Sequence, residues 1–262
     1  MAEEIPLAGG DVTEGVVRVG DTVRRPLGDH SPLVHKVLRH LEAVGFEGAP
    51  RFLGIDGKGR EILTHVDGEV AGRPWPEWVA DEERARSVAR LARRLDDAML
   101  PLGIPDGAGP VDPDQPGPAP TFIGHRDFTP ENTVFRHGRA TAFIDFDICG
   151  PASRVQEVTN LLLWWGAWMP VPDREPVMQE VDAADRGRAI VRAYGLDKAE
   201  TAQVVPVARY LAERSWHRMR ERALRDGGGW ARMWDEGVGD RIRRRQAWLA
   251  ENADHLAGAL LS

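Results

Sequence analysis

The sequence predicts an α+β protein of two lobes, a small β-rich one over residues 1–68 and a larger, mainly helical one over residues 69–262. Three observations predict it. Short strand-like runs fill the chain up to Val66 and enclose a single helical pattern. After "VDGEVAG", residues 66–72, the apolar period lengthens from 2 to 3.6. Between the later helical stretches, "HRDFTPENTVF" and "AFIDFDICG" place charged and amide side chains inside hydrophobic runs, where a carboxylate is costly unless paired or bound to metal.

In order, "GVVRVG" and "TVRRP" are strands joined by a Gly20-Asp21 turn. The spacing of Val34, Val37, Leu38, Leu41 and Val44 predicts one helix, with Ser31 as cap, Pro32 in its first turn and Gly45 as its stop. "RFLGI" and "REILTHV" are strands around "DGKG". A hinge near His65–Gly68 follows. Asp81 caps a helix carrying Val88, Leu91, Leu95 and Met99. The Pro- and Gly-dense residues 101–120 form a loop. "TVF" and "ATAFID" make a hairpin with Gly138 in the turn. Ser153 and Gln156 form a capping box for a buried helix through Val155, Val158, Leu162, Trp165 and Met169. Residues 184–258 are further helices, and no internal repeat is present.

The 262 residues are 42% hydrophobic and 29% charged, as in ordinary globular chains. A net charge of −7 argues against a nucleic-acid partner. The single cysteine, Cys149, excludes a disulfide framework and a multi-cysteine metal site, and it reads as a small buried hydrophobe. The N-terminus lacks the apolar core of a signal peptide, and the longest apolar run, residues 161–171, is too short to span a bilayer. A cytoplasmic location without a membrane partner is expected. The nine tryptophans are expected mostly in the helical core.

If the hairpin turns at His137-Gly138, Thr133 faces Ala142 and Asn132 faces Phe143. Asp145 is then a diagonal neighbour of Asn132, within roughly 7–8 Å. A carboxylate and an amide oxygen so placed suit Mg²⁺. Asp127 opens the loop that delivers Asn132 and can reach the same point without being a ligand. Phosphoryl transfer divides labour in this way: a metal bridges the nucleotide phosphates, and a separate carboxylate orients the attacking hydroxyl and takes its proton. His125 is expected to hold the turn.

"HRDFTPENTVF…AFIDFDICGPASRVQEV" resembles the catalytic segment of the aminoglycoside phosphotransferase / choline kinase-like family, a branch of the protein-kinase-like fold. The likeness extends over roughly residues 5–170. It implies a bilobal fold with residues 1–68 as a nucleotide-binding lobe and ATP or GTP in the cleft. It implies Asp127 as catalytic base and Asn132 with Asp145 as the Mg²⁺ ligands. "AGGDVTEG", with Gly10 and Asp11, is then the phosphate-approaching loop, and His65 and Val66 are the hinge residues that meet adenine. Arg24 takes the place of the usual phosphate-binding lysine. The next helix offers His35 or Lys36 where an acidic partner belongs, and Glu42 comes too late.

The implied function is an ATP- and Mg²⁺-dependent kinase acting on a hydroxyl of a small metabolite or antibiotic. The missing lysine–glutamate pair also fits a kinase-fold binding or immunity-type protein with little turnover. A protein kinase fits worse, because helix follows Asp145 with little room for an activation loop. Residues 209–245 hold eleven Arg against six Asp and Glu. That excess reads as a solvated helix face and lends no support to a strongly cationic acceptor.

Overall fold

The computed structural model describes residues 3–7 and 15–262. The small lobe is one antiparallel sheet. Its strands β1 (Ile5–Pro6), β2 (Val17–Val19), β3 (Thr22–Pro26), β4 (Phe52–Ile55) and β5 (Arg60–Thr64) lie in the order β1-β2-β3-β5-β4. Helix α1 (Ser31–Ala43) joins β3 to β4 and buries Val34, Val37, Leu38 and Leu41. It ends one residue short of Val44, which is exposed, because Gly45 turns the chain at φ 73° and Phe46 closes the core instead. Ser31 is the first helical residue rather than the cap, and its Oγ accepts from the Gly28 amide at 3.0 Å.

The large lobe begins with α2 (Glu82–Met99), capped by Asp81, whose carboxylate accepts from the Arg84 amide at 2.8 Å. Two short two-stranded sheets follow. Strand β6 (Phe122–Gly124) pairs with β9 (Gly150–Ala152), and β7 (Thr133–Arg136) pairs with β8 (Arg139–Phe143). Helix α3 (Arg154–Trp165) carries the expected Ser153–Gln156 capping box. It stops at Trp165, so Met169 lies beyond the buried stripe. Then come α4 (Ala183–Tyr194), α5 (Lys198–Asp226), α6 (Gly228–Asp235), α7 (Val238–Glu251) and α8 (Ala253–Leu261). Among the described residues no helix is long and apolar enough to cross a membrane.

The core runs from α2 through the two small sheets to α3 and α4. Leu95, Phe128, Phe143, Val155, Leu162 and Trp165 are each at most 1% exposed. Only Trp75, Trp165 and Trp168 of the tryptophans are fully buried, while Trp216, Trp230 and Trp234 are half-buried around α5 and α6. The loop over 101–120 is laid against α5: Asp112 pairs with Arg214 at 2.9 Å and accepts from the Tyr210 hydroxyl.

Polar contacts fasten the lobes together. At the junction Glu69 and Phe135 exchange backbone bonds of 2.9 and 2.8 Å, and Arg136 Nε donates to Asp67 O at 2.7 Å. The Phe143 amide donates to Gly48 O at 2.9 Å, and His40 Nε2 donates to Ala98 O at 2.8 Å. Gly68 has φ 147°, and a Cβ there would stand 2.4 Å from Val134 and 2.7 Å from the Phe135 carbonyl, so a side chain would push the connecting strand off β7.

Candidate active site

The loop after β6 turns sharply at Arg126, whose φ is 67°. Two hydrogen bonds fix its first residue. His125 Nε2 donates to Ile144 O at 3.1 Å, and its Nδ1 accepts from the Asp127 amide at 3.2 Å. The ring is enclosed by Phe128, Phe143 and Phe146. That burial pushes its pKa down to about 4, so His125 is a neutral brace between the loop and the segment after β8 that carries Asp145.

Asp127, Asn132 and Asp145 come together. Asn132 Nδ2 donates to Asp127 Oδ2 at 2.9 Å and to Asp127 O at 3.3 Å. The amide oxygen of Asn132 is thereby left as the group that can bind a cation. Burial pushes Asp127 up to about 7, helped by the charges of Asp145 and Glu131 and opposed by the Asn132 hydrogen bond. Glu131 is held by Arg73 and by Trp75 Nε1 at 3.0 Å.

The hairpin register differs from expectation by one residue. Thr133 pairs with Phe143 and Val134 with Ala142, because a bulge at Thr141 separates these pairs from Phe135–Ala140. The Thr141 hydroxyl donates to Val134 O at 3.2 Å and occupies the extra position. As a result the Ile144 amide donates to Asn132 O at 2.9 Å, and Asp145 follows directly after this partner instead of lying diagonally across.

Helix α3 splints the loop from below with residues that the periodicity hides. Asn160 accepts from the Phe128 amide at 2.7 Å and donates to Arg126 O at 2.9 Å. Trp165 Nε1 donates to Phe128 O at 2.7 Å. Glu157, fully buried, accepts from the Arg126 amide at 3.2 Å. The signal available was a polar pair, Glu157 and Asn160, spaced three apart on an otherwise apolar helix.

Burial pushes Glu157 from 4.5 up to about 7. A raised folded-state pKa favours the folded form most below pH 4.5, and that advantage is lost as pH rises through 7. Asp127 acts in the same direction. We predict that Glu157→Gln, which keeps an acceptor for the Arg126 amide, flattens the fall in melting temperature between pH 5 and 8. At pH 8 the variant should be roughly 1–3 kcal/mol more stable than the parent. An unchanged slope in a pH series of thermal melts would refute this.

On the small-lobe side the expected arginine is displaced by one. Arg24 turns away from the cleft toward Asp56, 3.8 Å away, and the Thr22 hydroxyl. Arg25 enters the site instead. In the β3–β5 register Val23 faces Leu63 and Arg25 faces Glu61, so residues 23 and 25 share the inner face and Arg24 lies opposite. Arg25 Nε stands 2.6 Å from Glu61, Nη1 donates to Asp145 at 3.4 Å, and Nη2 reaches Asp147. His35 of α1 bonds the other Glu61 oxygen at 2.6 Å and stacks on Phe52. The acidic partner missing from α1 therefore exists, on β5. Lys36 and Glu42 are exposed and take no part. Alternation along "REILTHV" was the signal, since it put Glu61 on the same face as core Leu63.

The expected hinge residues follow β5 directly. The His65 amide donates to Asp21 O at 2.9 Å, its ring pairs with Asp67, and Val66 is half-buried next to it. Gly10 and Asp11 lie outside the described residues.

Residues 111–194 match the phosphotransferase enzyme family. The trifolitoxin immunity protein of Rhizobium leguminosarum bv. trifolii is 33% identical over 208 residues, covering 76% of this chain and 77% of that protein. The chain belongs to the aminoglycoside phosphotransferase / choline kinase-like family.

Solved structures of the same bilobal, protein-kinase-like fold agree with the family. The streptomycin–ATP ternary complex of APH(2″)-IIa matches with TM-score 0.57 and 13% identity, over 86% of this chain and 89% of that one. Choline kinase from Cryptosporidium parvum Iowa II matches with TM-score 0.60 and 11% identity, over 100% and 92%. Within this aminoglycoside phosphotransferase / choline kinase-like chain, Arg25 on β3 is held between Glu61 on β5 and Asp147 two residues after Asp145.

Proposed function

We propose that this chain transfers the γ-phosphoryl group of ATP or GTP to a hydroxyl of a small molecule. The observation that carries the proposal is the convergence of Asp127, Asn132 and Asp145 on one point facing Arg25. In the reaction the acceptor oxygen bonds to the γ-phosphorus, the bond to the β-bridging oxygen breaks, the hydroxyl proton passes to Asp127, and the nucleoside diphosphate leaves. The Asn132 hydrogen bond holds the Asp127 carboxylate in place for that proton. Arg25 offers its outer nitrogens to the phosphates.

The donor set fits Mg²⁺. It is all oxygen, the Asn132 amide nitrogen is committed to Asp127, and the Asp145 side chain keeps 37% of its surface open. Asn132 Oδ1 and the Asp145 carboxylate would hold the ion, which supplies charge neutralisation of the β- and γ-phosphates. Glu61 and His35 hold Arg25 in register from behind.

Calorimetry with ATP, with and without Mg²⁺, tests this. We expect Mg²⁺-dependent binding, with Asp145→Asn removing about tenfold or more of the Mg²⁺ enhancement while binding without Mg²⁺ changes little. A second reading rests on the 33% identical immunity protein: a fold retained for binding with little turnover. Absence of nucleotide binding by the parent protein would favour that reading and defeat the first.

A further inference from the structure

The C-terminal half of α5 carries Arg214, Arg218, Arg222 and Arg225, at spacings of four, four and three, on one helix face. Its two ends are located by their partners. Arg214 is tied to Asp112 of the long loop at 2.9 Å. Arg225, ion-paired to Asp226 at 2.6 Å, lies within charge range of Asp29, which follows β3 in the small lobe. The row thus runs from the long loop to within charge range of the small lobe, with Arg218 and Arg222 in its middle.

Arg126, the neighbour of Asp127, lies within charge range of that middle. Its Nη1 lies where a Cβ on Gly150 would be 2.5 Å away, so the glycine makes room for the guanidinium. Desolvation, and after it the like charge of Arg126, holds Arg218 down to about 10 and lowers Arg222, although Arg218 is exposed over much of its surface and Arg222 is half-buried. Arg245 of α7 lies within charge range of Arg218, half-buried, with its Nε buried and unpartnered. Acidic compensation is thin. Asp226 is shared between Arg222 and Arg225, and Glu157, which feels Arg126, is itself pushed toward its neutral form. Among the described residues no carboxylate lies within 4.0 Å of Arg126, Arg218 or Arg245.

Guanidinium groups that outnumber the carboxylates around them are matched to a planar or tetrahedral oxyanion, which they bind through paired, charge-assisted hydrogen bonds. The nucleotide phosphates belong on the opposite side, by Arg25 and Asp145. We infer that the acceptor of this phosphotransferase is itself anionic, a hydroxy compound bearing a carboxylate or phosphate that Arg126, Arg218 and Arg222 receive. The inference rests on the phosphotransfer reading and specifies its acceptor. It excludes polycationic acceptors, because these arginines would repel them.

The test titrates full-length protein, already saturated with AMP-PNP and Mg²⁺, with inorganic phosphate and separately with spermidine at constant ionic strength. The fluorescence of Trp230, which stacks under Arg222 at 4.4 Å, and calorimetry report binding. Phosphate should bind and spermidine should not. Arg218→Gln with Arg222→Gln should weaken phosphate by roughly tenfold per guanidinium removed, with AMP-PNP affinity unchanged. Arg218→Lys with Arg222→Lys should retain part of the binding. An unaltered melting temperature shows that the variants fold. Absent phosphate binding, binding indifferent to the variants, or preferential spermidine binding overturns the inference and leaves the kinase reading intact. A parallel loss of AMP-PNP affinity overturns it by assigning the arginines to the nucleotide. Failure of the parent to bind AMP-PNP defeats the phosphotransfer reading and the inference with it.

Discussion

Asp127→Asn is expected to lower phosphoryl transfer by about 10³-fold while leaving Mg²⁺–ATP affinity within about threefold. The substitution is isosteric, and the asparagine Oδ1 still accepts from Asn132 Nδ2, which stands 2.9 Å from the carboxylate oxygen it replaces. What disappears is the ability to take the acceptor's proton. Burial and the charges of Asp145 and Glu131 raise the basicity of this carboxylate, so water at neutral pH is a poor substitute. Coupled nucleotide-consumption assays give the rate, and calorimetry gives the affinity. Undiminished turnover would remove Asp127 from the chemistry. A matched loss of affinity would make it a nucleotide-binding residue instead.

Arg25→Ala is expected to cost roughly 3–5 kcal/mol of stability and to weaken Mg²⁺–ATP binding about 10- to 100-fold. Arg25 is 6% exposed and Glu61 is fully buried, so removing the guanidinium strands a buried carboxylate with His35 alone. Replacing both charges, in Arg25→Met with Glu61→Leu, should recover most of the stability, because apolar groups of similar volume do not need each other's charge. It should not recover nucleotide affinity. Thermal melts and calorimetry on the single and double variants separate the two roles. Recovery of affinity in the double variant would show that Arg25 acts only as a structural ion pair.

Much of the site could be read from residue order because its parts are close in sequence. The hairpin that joins Asn132 to Asp145 turns within a few residues, and His125, Asp127 and Asn132 share one loop, so local rules place them. What could not be read depends on longer range or on a single inserted residue. The bulge at Thr141 leaves no mark in the apolar pattern, yet it resets every pairing before it. Arg24 and Arg25 are chemically identical, and only the β3–β5 register decides which faces inward. Glu61 stands 36 positions from Arg25, on a strand whose pairing no local signal specifies. The same limit applies to α3, where Glu157 and Asn160 interrupt an apolar stripe for a reason visible only once the Arg126–Phe128 loop lies across them. The stripe itself predicted too long a helix, because Gly166 and Ala167, at φ 56°, end it after Trp165. The arginine run on α5 was legible as composition, but its nearness to Arg126 was not.

The fastenings between the lobes are of two kinds. Gly48 O with the Phe143 amide and the Glu69–Phe135 exchange are backbone bonds, joined by His40 with Ala98 O. In the active site the tie is ionic: Arg25 to Asp145 and Asp147. Backbone bonds between uncharged groups ignore ionic strength, whereas charge pairs yield to it and to any competing cation or phosphate. The ionic tie should therefore act as a clasp that salt or nucleotide undoes first, leaving the backbone bonds as the joint.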